Sequence, residues 1–374
     1  MMKYLFTFLF LLLLLSTGCS PEADQPLIGA KIYEHSGPYD QLFDQWKQLG
    51  INTAFSSERL ITDRDFMNEA REHKISTFLI FPVFFNAEAI DEEAGLAAIS
   101  SKGEAASEDW VEFVCPSRED YRRKMVGHAR QLVREHQPDG ISIDFIRHFV
   151  YWEKVYPDRD PSTLPMSCFD SLCLNHFQGE TGISIPAELS DTPEKADWIL
   201  DRHEEEWTAW RCELITSMAD AIAKAAREEK PGILVNIHLV PWAKEDFNGA
   251  IRNVAGQDIK ALAEFSDFLS PMCYAHMVKQ SPSWVHGIVE DMFMQTGATI
   301  LPSIQVEKAY LDTEFDLVEF RETVEAALQA PSSGLVVWSW EHLISMPPRS
   351  PAWPGWKRPG PVFSTAVRGP SARR

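Results

Sequence analysis

The chain has 374 residues and a formal net charge of −20. That charge argues against nucleic acid as a partner, because binding a phosphate backbone needs a basic surface. Hydrophobic residues make up 45% of the chain, enough for a large core, and 12 Trp with 22 Phe supply flat apolar faces that suit sugar rings as well as packing.

The N-terminus opens on the basic start Met1–Met2–Lys3, and residues 4–15 form an apolar run shorter than a membrane span. Ser16, Thr17, Gly18 and Cys19 close that run. A small residue directly before a Cys resembles a bacterial lipoprotein signal, with Ser16 where that pattern usually has Leu and Leu15 one step earlier. The resemblance implies a signal peptide over 1–18, lipidation at Cys19 and a tether over 19–26. It also implies a membrane-anchored protein of the bacterial cell envelope, facing the periplasm or lying on the outer-membrane surface. An ordinary secretory signal is the alternative. Both readings send the chain out of the cytoplasm.

The apolar run 27–33 predicts a first strand, ending at Glu34 and His35, and 40–49 predicts a helix stopped by Gly50. A strand at 52–55, a helix at 63–73 and a strand at 75–81 follow, the last closed by Pro82, which cannot donate to a strand ladder. Residues 86–113 form a long connection, acidic in the middle; connections of that length are usually functional or mobile. Ser117 is a plausible N-cap for a helix over 119–136. That helix leads through the turn pair Asp139–Gly140 into the apolar run 141–146, which embeds Asp144. A second long insertion, rich in Pro and aromatic residues, occupies 151–190. A helix at 204–229, a strand at 233–238, a helix at 258–265 and a strand at 268–274 come next. The described pattern closes with a helix at 284–296, a strand at 299–304, a helix at 316–329 and a strand at 334–338.

Eight short apolar strands alternating with helices mean a parallel sheet, and eight units predict an α/β fold closed as a (β/α)8 TIM barrel over 27–345, with long inserted loops after strands 3 and 4. A doubly wound open sheet is disfavoured, because no Gly-rich phosphate turn follows the first strand. After Ser345 the composition shifts to Pro, Arg, Trp and Gly, which predicts an irregular tail over 346–374.

In such a barrel the C-terminal strand ends converge on one pocket. They carry Glu34, Asp144, Arg147, His148, His238, Trp242, Tyr274, His276, Gln305, Glu307, Trp338, Trp340 and Glu341. Carboxylates for acid/base or nucleophilic work together with Trp faces are the set a carbohydrate site needs. Asp144 is the expected chemical centre, kept ionised by Arg147. The second carboxyl is sought among Glu341, Glu307 and Glu34, with Glu341 preferred because Trp338 and Trp340 would raise its pKa. The remaining polar and aromatic residues are expected to contact substrate, although Trp338 is equally at home in the barrel core. No HExxH or GxSxG occurs, so neither a metal centre, nor a cofactor, nor a serine nucleophile is expected. Apart from Cys19 there are five cysteines, Cys115, Cys168, Cys173, Cys212 and Cys273, without metal-finger spacing. Cys168 and Cys173 are close enough in sequence for a local disulfide, and the odd number leaves at least one thiol free or buried.

The segment from Asp139 to Arg147, DGISIDFIR, resembles the DGIxLDYIRYP segment of a glycosyl-hydrolase-like family with a TIM-barrel fold. FLSPMCY, residues 268–274, resembles that family's sixth-strand S-P-M-x-Y element. The group includes a lipoprotein that cleaves peptide-free peptidoglycan strands. The resemblance implies glycoside hydrolysis of a poly- or oligosaccharide, with Asp144 as the catalytic Asp, Arg147 as the substrate-contacting Arg and Tyr274 as its Tyr. The chain departs from the pattern at His148–Phe149, where the family has Tyr-Pro, and at His276, which has no adjacent acid. Asp144 with Tyr274 and His276 could equally run proton abstraction and elimination on a uronic or sulfated sugar. A silent, surface-anchored glycan-binding barrel is the third reading.

Overall fold

A computed structural model describes residues 26–344. The expected signal peptide, Cys19, nearly all of the tether and the tail lie outside the described residues. Eight parallel strands form the barrel: β1 (Leu27–Ile32), β2 (Thr53–Ser56), β3 (Ser76–Pro82), β4 (Gly140–Asp144), β5 (Leu234–Leu239), β6 (Phe268–Pro271), β7 (Ser303–Gln305) and β8 (Gly334–Trp338). They run in the order β6-β5-β4-β3-β2-β1-β8-β7, and bridges Leu269↔Ile300 and Met272↔Ser303 join the two ends. This is the (β/α)8 barrel expected from the alternation. The sixth strand is shorter than its apolar run, stopping at Pro271 instead of reaching Tyr274, because proline has no N–H for the ladder.

Strand alternation decides which side chains enter the barrel. In β4, Ile141 and Ile143 face the surrounding helices, while Gly140, Ser142 and Asp144 share the other face; all five residues are buried. The N-terminal end of the interior is plugged by Phe55, Phe78, Ile80, Leu301 and Val336, with the Phe55 and Phe78 rings stacked at 4.8 Å. Gly140 is required by that plug: a Cβ there would lie 2.2 Å from the Phe78 ring. Above the plug the buried interior turns polar, with Lys31, Ser142, Asn236, His238, Ser270 and Ser303 below Asp144.

Helix α1 (Glu119–His136) brings the chain to β4 and packs on α2 (Glu204–Glu229), which precedes β5. The two insertions are sewn to each other and to the barrel mouth. Phe85 bridges Phe113, Ala97 bridges Val114, and Ser100 of the first insertion bridges Ser167 of the second. The first carries a two-stranded hairpin, Ser107–Glu108 against Val111–Glu112. The second contributes a short 3-10 turn at Trp152–Lys154 and a helix, α3 (Ser171–Thr181), capped by Asp170. No helix among the described residues is long and apolar enough to cross a membrane.

Candidate active site

Asp144 sits at the end of β4, level with Pro82 of β3, and is only 5% exposed. Its Oδ1 accepts the Phe145 amide at 2.7 Å and its Oδ2 lies 4.0 Å from Lys31 Nζ. Burial alone would push this carboxyl up, but Lys31, the Phe145 amide and Arg147, joined by His238 only in the acid range where its imidazole is charged, hold Asp144 below its ordinary value. Burial and Lys31 drive His238 down to about 3, so its imidazole is neutral at pH 7 and the standing positive charges on Asp144 are Lys31 and Arg147. The Lys31 ammonium also donates to the Tyr274 hydroxyl at 3.3 Å, and burial lowers its own pKa.

Arg147 is buried between two carboxyls. It donates to Val150 O at 3.3 Å, and its guanidinium carbon stands 4.8 Å and 5.1 Å from the Phe113 and Phe145 ring centres. Its Nε and Nη1 have no hydrogen-bond partner. Its electrostatic partners are Glu153 and then Asp144. Glu153, from the 3-10 turn of the second insertion, is 8% exposed and its Oε2 is also unpartnered. Burial pushes the Glu153 carboxyl up to about 7 despite Arg147, and the Asp144 charge adds to the rise. Two buried carboxyls that both interact with Arg147 are thereby driven apart, Asp144 below its ordinary value and Glu153 up to about 7.

Aromatic side chains cover this pair. Tyr274 stacks on Trp338 with ring centres 4.6 Å apart and meets Trp152 at 5.7 Å. Trp110 Nε1 donates to the hydroxyls of Tyr151 and Tyr310, both at 3.2 Å, and Lys154 pairs with Asp109 beside them. Tyr33, 39% exposed, lies on the open side, coupled to Asp144 and Glu341. A separate cavity of ≈ 330 Å³ opens where the second insertion meets the loops after β5 and β6, lined by Val155, Trp242, Phe247, Gln280 and Trp284 among others. Asp144 and Glu153 do not line it, so Trp242 belongs to a neighbouring groove.

The strand-end residues therefore divide. Asp144, Arg147, His238, Tyr274 and Trp338 converge. The others have structural engagements of their own, although Glu341 keeps a buried Oε2 without a hydrogen-bond partner and, like Asp144, interacts with Tyr33. Glu341 Oε1 accepts the Tyr33 and Glu34 amides at 2.6 and 3.1 Å, clamping the end of β1. Glu307 pairs with His342 at 3.1 Å on the rim, and Glu34 faces Arg59 at 3.7 Å on the exposed surface. His148 is buried with its Nε2 3.2 Å from Arg211 O, and His276 is held by Glu319 at 2.9 Å and Thr313 O at 3.1 Å. Gln305 accepts the Met277 amide at 2.9 Å and donates to Glu307 O at 2.8 Å. Trp340 is core, packed on Trp46 at 5.5 Å. Two site residues escaped the sequence reading. Lys31 had a signal, a cation inside the apolar run of β1 at the same parity as Gly29. Glu153 had none, since its burial comes from the folding-back of an aperiodic insertion.

No family model matches the chain, and no curated protein matches it. The fold is a (β/α)8 barrel. Among solved structures the chain is similar to the glycoside hydrolase domain of PgaB (BpsB) from Bordetella bronchiseptica, with a TM-score of 0.66 and 11% identity over 86% of this chain and 96% of that one. It is also similar to the β-galactosidase of the psychrophilic Marinomonas ef1, with a TM-score of 0.61, 10% identity, and 84% of this chain covered. The β-galactosidase of the haloarchaeon Halorubrum lacusprofundi gives the same TM-score of 0.61 and 10% identity over 84% of this chain. The chain spans only 54% and 52% of those two galactosidases. At such identities the likeness is one of fold.

Proposed function

We propose that the chain is a glycoside hydrolase acting on a poly- or oligosaccharide outside the cytoplasm, anchored by lipid at Cys19. Asp144 is the ionised carboxylate facing the anomeric carbon or its attacking water, and Glu153 is the acid that protonates the leaving oxygen. One observation carries this reading: two buried carboxyls share Arg147 and are driven to opposite protonation states, Asp144 below its ordinary value and Glu153 up to about 7. Arg147 interacts electrostatically with both and balances the Asp144 charge. Trp338, half-buried and backed by the buried Tyr274 ring, offers an aromatic face for a sugar ring. The barrel likeness to glycoside hydrolase domains supports the same class.

Lys31 and Tyr274, in contact at 3.3 Å beside Asp144, favour one second reading, proton abstraction and elimination from a uronic sugar. The test is to offer the full chain neutral, uronic, sulfated and peptidoglycan-derived glycans and to weigh the products. Hydrolysis adds one water across the cleaved bond. Elimination adds none and leaves a conjugated double bond that absorbs in the ultraviolet. Retained binding without any product contradicts both and leaves a glycan-binding barrel.

A further inference from the structure

The two insertions bring together three cysteines and an acid that no step above uses. Cys115 ends the first insertion, Cys168 lies in the second, and Asp170 and Cys173 open helix α3. All four are buried, and their three sulfurs and one carboxylate oxygen lie within 4.8 Å of one another. The Cys168–Cys173 disulfide suggested by spacing does not form: all three thiols are free, and the close pair is Cys115 with Cys173, at 3.2 Å.

We propose that Cys115, Cys168, Cys173 and Asp170 form a structural zinc site that staples the two insertions over the barrel mouth. Tetrahedral zinc with Zn–S bonds of about 2.3 Å needs sulfurs about 3.8 Å apart, within the compass of this cluster after small side-chain rotations. The surroundings suit thiolates. The Ile99 amide donates to Cys168 Sγ at 3.2 Å, and Ser117 Oγ lies 3.2 Å from Cys173 Sγ. Such contacts are what orient metal ligands from outside. Asp170 is held by the Cys173 amide at 2.7 Å and by Arg118 at 2.9 Å, which fixes its carboxylate while leaving a lone pair on each oxygen.

Charge gives the second argument. Three thiolates and one carboxylate carry four negative charges, and zinc supplies two positive ones. Arg118 on Asp170 and the buried Arg211, which interacts with Cys212, Cys168 and Cys173, supply the remaining two. Arg211 donates from Nη1 and Nη2 to the Asn253 and Val254 carbonyls, and its Nε is buried without a hydrogen-bond partner. The fully buried Arg211 beside neutral thiols has no anion among the described residues to balance it, whereas a closed zinc–thiolate centre supplies one. A disulfide would use two of the sulfurs and leave Cys168 and the Asp170 carboxylate outside it.

The test uses the full chain, produced with zinc in the medium and passed through gel filtration. About one zinc per chain is expected. Peptide mapping should show Cys115, Cys168 and Cys173 shielded from alkylation until a strong chelator is added. Replacement by Co²⁺ should give sulfur-to-metal charge transfer and the intense visible bands of a tetrahedral site. That signature should vanish in Cys168→Ser and persist in Cys212→Ser, a buried cysteine outside the cluster. Zinc below about a tenth of an equivalent, with Co²⁺ giving only the weak octahedral spectrum, would overturn the proposal. So would a mapped Cys115–Cys173 disulfide. Both readings come from the wild-type chain, so a variant that fails to fold does not blunt them.

Discussion

Asp144 and Glu153 are both buried, yet burial wins at one and loses at the other. Asp144 faces Lys31 and Arg147 and accepts a backbone amide, whereas Glu153 has one cation, Arg147, its own backbone amide, an unpartnered oxygen and the opposing Asp144 charge. The rate should therefore fall as pH rises through about 7, where Glu153 loses its proton, and Glu153→Gln should lack that alkaline limb in a kcat/KM profile. Stability follows the same proton. The folded state holds it more tightly than the unfolded chain, so the Glu153 contribution is present below the ordinary 4.5 and is lost as pH rises through about 7. Across that window it amounts to roughly 3 kcal/mol, read as the difference between the denaturation midpoints of wild type and Glu153→Gln. Asp144 works in the opposite sense: its folded pKa is depressed, so its contribution is present above the ordinary 3.8 and is lost as pH falls through the depressed value.

At the scale of elements, Gly140 and Glu341 set the frame. A methyl at Gly140 would strike the Phe78 ring, so Gly140→Ala should lower stability by roughly 1–3 kcal/mol in denaturant melts. Glu341 clamps β1 through the Tyr33 and Glu34 amides, so Glu341→Ala should cost roughly 1–3 kcal/mol. It should slow turnover far less than Asp144→Asn, which a side-by-side rate assay would show. The barrel was legible because each β/α unit writes its own hydrophobic period into the chain, and Asp144 was legible because it is an acid embedded in an apolar strand run, at the end that opens on the barrel mouth. Choosing among residues just past a strand end was not legible. Glu341, His276 and Gln305 all sit at the right edge, and tertiary hydrogen bonds turn each into a clamp. The cysteine cluster stayed hidden for a related reason: Cys115 and Cys173 are 58 residues apart, and only the crossing of two insertions joins them.

For the whole molecule, the net charge of −20 surrounds a site whose own cations, Lys31 and Arg147, are buried. Anionic glycans must approach against that field, so raising salt should speed their capture and leave neutral glycans unaffected. Stopped-flow binding at two ionic strengths would show it. The central claim is the division of labour between Asp144 and Glu153. Its most direct test is cleavage of a matched pair of glycosides, one with a poor alkoxide leaving group and one with an activated aryl group. Glu153→Gln should lose about 10²–10⁴-fold on the first and far less on the second, which needs no acid, while Asp144→Asn should lose both. Equal losses on both substrates in Glu153→Gln, or undiminished cleavage by Asp144→Asn, would contradict the account.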